Sequence, residues 1–107
     1  MRTVPQPGEV WFIDLSMVGK PRYSLVLAAR TDARLALASV VLITTQFEDT
    51  PYEVSLPRVQ WLREQSYINV QSIQPVKFTE FIRKAPGKFD ARVIGEVEAA
   101  LKRWLRL

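Results

Sequence analysis

The chain contains no cysteine and no histidine. The first absence excludes a disulfide framework, thiolate nucleophiles and thiolate metal sites; the second removes the commonest metal ligand and the commonest general base. Whatever chemistry the protein performs must come from carboxylates, hydroxyls, amides, arginine or lysine. Long apolar runs are also missing, since none approaches the roughly 20 residues that span a bilayer. The opening stretch MRTVPQPGEVW lacks the continuous apolar segment of a secretory signal, so the chain reads as a soluble cytoplasmic protein with no membrane partner. There is no phosphate loop, Rossmann glycine pattern, metal-ligand cluster or nucleophile elbow. No repeat or linker divides the sequence, and its 107 residues suit one domain, 1–107, around one core.

What is present is apolar and strand-like. Apolar residues make up 48% of the chain, enough to exclude disorder. Pro5, Pro7 and Gly8 break structure, and EVWFIDL (Glu9–Leu15) then reads as a first strand, with SMVGK turning the chain. Arg22–Ala29 is a second strand and the β-branched run Ala38–Gln46 a third; TDARLAL between them fits a loop or a short helical turn. Tyr52–Leu56 alternates between Pro51 and Pro57, as an edge strand does, and Tyr67–Phe78 is extended, with Pro75 demanding an edge or a bend. RVQWLREQ suits more than one state. After a basic connector, Phe81–Phe89, Asp90 stands as an N-cap before Val93, Ile94, Val97, Leu101, Trp104 and Leu105, whose spacing is that of an amphipathic helix. The expectation is a mainly β protein, a small barrel with a C-terminal helix packed on it.

Charge is uneven. Residues 83–107 hold seven basic and three acidic side chains, a surplus of four that equals the net charge of the whole chain, while residues 1–82 balance. Such a surplus suits a polyanion or an acidic protein segment, and it equally suits a solvated helix face. The polar residues interrupting the strands are the other candidates. Arg22 opens an apolar strand, where its planar fork could clamp a phosphodiester or pair with a nearby carboxylate. Thr44 and Thr45 follow VVLI and could hydrogen-bond a phosphate. Glu9 and Asp14 are five apart, on opposite strand faces, and so form no carboxylate pair. Trp11 and Trp104 are expected in the core; Trp61, in a polar surround, is the tryptophan expected to stack on a base.

PGEVWFIDL, GKPRYSLVLAAR, VVLITTQ and YEVSL follow one another in the order of the opening strands of the MazF/PemK toxins, and FDARVIGEVEAALKRWL is similar to that family's closing helix. The resemblance covers the whole chain. It implies an SH3-like barrel, a homodimer, and a metal-independent endoribonuclease without cofactors that cuts single-stranded RNA through the RNA's own 2′-hydroxyl and is neutralised by a cognate antitoxin through an acidic segment. It carries the catalytic posts onto Arg22 and Thr44, and RNA contacts onto Glu9, Thr45, Gln46, Gln74 and Lys77. The departure from the family lies in QSIQPVK, where Gln74, Pro75 and Lys77 stand at the family's arginine, threonine and aspartate. Glu9 or Lys77 could then serve as base, positioning by Arg22 and Thr44 could suffice, or the barrel could bind without cutting. A gyrase poison of the related CcdB type is a third reading, which the arginine and threonine argue against.

Overall fold

The computed structural model describes residues 4–15 and 20–107. The expected turn at SMVGK falls, at Ser16–Gly19, outside them. Among these residues seven strands and one α-helix follow in order: β1 (Val10–Ile13), β2 (Arg22–Ala29), β3 (Leu37–Thr44), β4 (Glu53–Ser55), β5 (Tyr67–Asn69), β6 (Gln74–Lys77), β7 (Phe81–Lys84) and α1 (Ala91–Leu105). All pairings are antiparallel, in the order β4-β5-β3-β2-β1-β7, with β6 also on β3. This is the mainly β barrel with a C-terminal helix that the sequence predicts.

Neighbouring residues on a strand fall into opposite cores, because successive side chains point to opposite faces and both faces are covered. Val10, Leu25, Val41, Ile43, Val54 and Ile68 meet Val93, Val97 and Ala100 of the helix. Trp11, Ile13, Val26, Ala38, Val40 and Val76 form the second cluster. Burial on both faces explains why these strands read as near-continuous apolar runs rather than as an alternation.

The single extended segment expected over Tyr67–Phe78 is broken up. β5 ends in a 3-10 turn at Val70–Ser72 capped by the Asn69 side chain, and β6 resumes at Gln74. β5 pairs with Ile43 and Thr44, and β6 with Leu37–Val40, along the same edge of β3. Pro75 sits in β6, which has no second partner strand among the described residues, so its missing N–H costs no ladder bond. The basic connector also contains β7, which lies on β1 and was not expected. TDARLAL forms bends, and RVQWLREQ turns and irregular backbone.

Helix α1 begins as predicted: the Asp90 carboxylate accepts the Val93 N–H at 3.1 Å. Its last tryptophan departs from expectation. Trp104 stays 40% exposed and meets Tyr52 edge-on, since the buried stripe runs through Val93, Val97 and Ala100 and turns away before the final turn. Trp11 is buried as expected.

Candidate functional site

Arg22 starts β2 and Thr44 ends β3. The β2–β3 register pairs Ser24 with Leu42 and Leu25 with Val41; carried two residues on, it sets Arg22 across from Thr44. Thr44 is in register with Tyr67 on its other side, and Tyr67 with Ser55. Side chains directly opposite in antiparallel strands share a face, with Cβ atoms about 5 Å apart. Arg22, Thr44 and Tyr67 therefore stand in one row at the open end of the sheet.

Two adjoining clefts meet at this row. One, of about 460 Å³, is lined by Arg22, Thr44, Thr45 and Gln46 together with Lys20, Arg63 and Glu64. The other, of about 380 Å³, shares Arg22, Thr44 and Gln46 and adds Gln74, Glu48 and Glu53. The Gln46 N–H donates to Thr44 Oγ1 at 3.1 Å, which holds the hydroxyl in place and leaves its own proton to donate elsewhere. Arg22 is half-buried and takes part in none of the ion pairs among the described residues, so it is not the carboxylate-paired surface arginine that composition alone allowed. Its fork faces a cleft with its charge uncommitted.

The carboxylates here differ in availability. Glu53 accepts the Glu48 and Thr50 N–H groups and the Thr50 hydroxyl, and these bonds, the one from Glu48 foremost, hold its carboxyl below the usual value. Glu64 is exposed on the irregular segment between β4 and β5, where its backbone carbonyl accepts from the Ser66 hydroxyl. Gln74 reaches the second cleft with its amide donated to the Ser72 carbonyl at 3.0 Å.

Glu9 and Lys77 are not brought to this place. The Glu9 carbonyl accepts the Val26 N–H, which sets Glu9 four residues along β2 from Arg22, about 13 Å away. Its carboxylate is buried and accepts from Gln6 N at 2.8 Å, Trp11 Nε1 at 3.0 Å and Lys84 Nζ at 3.3 Å. Burial pushes that carboxyl up, but the Trp11, Gln6 and Lys84 bonds together with the Lys84 charge outweigh it and leave it below its ordinary value. Lys77 lies across from Leu37, seven residues from Thr44 along β3 and so about 23 Å away. Neither can serve as base beside Arg22.

Trp61, the tryptophan expected to stack on a base, is half-buried between Tyr23 and Phe89, with ring centroids at 5.2 and 5.6 Å. Lys20, Arg63 and Glu64 are cleft residues that the sequence reading did not single out. The charged pair in WLREQ was visible, but without a period nothing located it. Among the described residues, no three His, Cys, Asp or Glu side chains cluster as metal ligands would, and no helix is long and apolar enough to cross a membrane.

Comparison with known proteins converges on one family. The sequence profile of the PemK-like, MazF-like toxin of type II toxin-antitoxin systems matches residues 6–105. No curated protein sequence matches the chain. An endoribonuclease in complex with its cognate antitoxin, from a mycobacterial species, has the same fold at a TM-score of 0.81, with 21% identity over 96% of each chain. MazF from Deinococcus radiodurans aligns at 0.79, with 20% identity over 98% of this chain and 99% of that one. The Mycobacterium tuberculosis toxin MazF-mt6 aligns at 0.78, with 22% identity over 92% and 97%.

Proposed function

Because the chain belongs to the PemK-like, MazF-like toxins of type II toxin-antitoxin systems, we propose that it is an endoribonuclease whose site is the cleft at Arg22 and Thr44. The observation that carries this reading is the register that sets an uncommitted guanidinium across from a hydroxyl whose oxygen is already held by a backbone N–H.

In the proposed reaction the RNA's 2′-oxygen attacks the adjacent phosphorus. A 2′-O–P bond forms and the P–O5′ bond breaks, giving a 2′,3′-cyclic phosphate and a 5′-hydroxyl. Arg22 neutralises the charge building on the non-bridging oxygens through paired N–H donors, and the Thr44 hydroxyl donates to one of them and fixes the phosphate. Glu64 lines the same cleft, its carboxylate in no ion pair among the described residues, and takes the 2′-proton, the task that Glu9 and Lys77 are too distant to perform. The leaving 5′-oxygen takes its proton from water in the open cleft. No step requires a metal.

The test is cleavage of a long mRNA by purified protein, with the new ends mapped. Removing one donor to a developing oxyanion costs about 10² to 10³ in rate, so Arg22→Ala is expected to lose that much, Thr44→Ala a comparable amount, and Glu64→Gln a similar or smaller one. EDTA is expected to leave the wild-type rate unchanged. Failure of the folded wild-type protein to cut any RNA would overturn the reading.

One observation favours a second reading, a barrel that binds RNA without cutting it: the late strand offers no acid–base pair, with Gln74 tied to Ser72 and Lys77 remote. Binding without product in the same assay would establish it. The family further supports a homodimer neutralised by an acidic antitoxin segment. Four of the seven C-terminal cations already have partners, since Arg83 lies over Phe12, Lys84 pairs with Glu9, Arg92 with Glu96, and Arg103 donates to the Pro51 carbonyl. Lys88, Lys102 and Arg106 remain for such a segment.

A further inference from the structure

Phe47 and Tyr67 form an aromatic pair that no packing requirement explains. Their rings are parallel, with centroids 4.3 Å apart and planes 12° from each other. The other five aromatic contacts among the described residues are tilted or edge-on, at 43° to 78°, and each of them involves at least one ring packed on the two cores. Neither Phe47 nor Tyr67 belongs to a core cluster. Phe47 keeps 41% of its surface exposed although one ring face is covered by Tyr67.

The position of the pair gives it meaning. Tyr67 is in register with Thr44, so the stack continues the row that Arg22 and Thr44 begin. The Gln46 N–H on Thr44 Oγ1 folds the chain just past β3 and returns Phe47 onto Tyr67. A flat apolar surface therefore adjoins a cleft carrying Lys20, Arg22 and Arg63. An anion beside a flat ring is the chemistry of a nucleotide. Trp61, the aromatic that the sequence offered for such a role, is committed to Tyr23 and Phe89.

We propose that the outer face of Phe47, backed by Tyr67, is the shelf on which a nucleobase flanking the bound phosphate stacks. The proposal rests on the RNA-binding reading above and adds how the strand is held in register. Every base presents a π-face, so the shelf supplies affinity and register rather than sequence choice. Tyr67 acts through Phe47, as a positioning residue that keeps the shelf flat.

The test uses the purified full chain and fluorescence anisotropy with two uncleavable 2′-O-methyl probes, oligo(A) and a fully abasic strand of the same length. Base–aromatic stacking implies that Phe47→Ala weakens oligo(A) binding about tenfold to hundredfold. Phe47→Trp restores it, and the abasic strand binds wild type and Phe47→Ala alike. Equal oligo(A) affinity of folded wild type and Phe47→Ala would overturn the shelf while leaving the cleavage reading intact. An equal loss on both probes would assign Phe47 to fold rather than to stacking and overturn it too. A change of oligomeric state in Phe47→Ala, read by light scattering, would show that a second copy covers the ring and would equally sink the proposal. If wild type binds no RNA at all, the shelf falls together with the RNA-binding reading, and the mRNA assay reports that failure separately.

Discussion

Glu9 shows how one residue's role depends on what it touches. In the sequence it is an acid beside a glycine at the start of a strand, and the family resemblance offers it to RNA. In the fold its carboxylate is buried and receives three donors, tying the Pro7–Gly8 turn, the Trp11 indole and β7 together. Gly8 occupies φ +90 there, a conformation glycine adopts without a steric penalty. Because the folded-state pKa of Glu9 lies below its ordinary value of 4.5, the charged form stabilises the fold. That contribution is fully present above about pH 4.5 and is lost as pH falls through the depressed folded value, where the carboxyl protonates. Glu9→Gln is therefore expected to cost about 1–2 kcal/mol at pH 7, the scale of a buried hydrogen-bonded charge. The deficit should shrink toward zero in strong acid, and urea unfolding at pH 7 and pH 3 checks both statements.

At the scale of elements, legibility followed burial. Helix α1 could be read because its apolar spacing and its cap agree, and both are local. Removing the cap with Asp90→Ala is expected to cost about 1 kcal/mol and lower the melting temperature by about 4 °C, measurable by circular dichroism. Strands β1, β2 and β3 were legible because both of their faces are covered. β7 was not, because Ile82, Arg83 and Lys84 are exposed and nothing in FIRK alternates. It is a strand through its backbone bonds to β1, aided by the Arg83 guanidinium 4.2 Å from the Phe12 ring centre. The 3-10 turn that splits Tyr67–Phe78 depends on Asn69 accepting the Gln71 N–H, and β-propensity in that run masked it.

At the scale of the molecule, charge has been redistributed. The basic surplus of residues 83–107 suggested a C-terminal polyanion face, yet most of those cations are engaged with aromatic rings, carboxylates or carbonyls. The cations at the cleft, Lys20, Arg22 and Arg63, come from residues 1–82, where the net charge is zero. Releasing counterions from a single strand lowers log affinity by about 0.7 per phosphate contact per unit of log salt. Three contacts imply a slope of about −2 for RNA binding, measured by anisotropy across a salt series. Binding along the whole C-terminal basic face would give a slope well over twice as steep.

Arg22 and Thr44 were singled out together only through the family resemblance; the sequence by itself determined the β-rich class, the C-terminal helix with its cap, and the absence of thiol and imidazole chemistry. These are readable because apolar period, capping and residue type are properties of a segment or of a short motif. Only the tertiary structure decided which polar residues share a cleft. It brought Gln46, Gln74 and Glu64 toward Arg22, left Glu9 roughly 13 Å from Arg22 along β2 and Lys77 roughly 23 Å from Thr44 along β3, and moved the exposed aromatic surface from Trp61 to Phe47. The physical reason is register. Which residues face one another across a sheet is set by cross-strand pairing between segments far apart in the chain, and a single-residue slip would send every side chain to the other face.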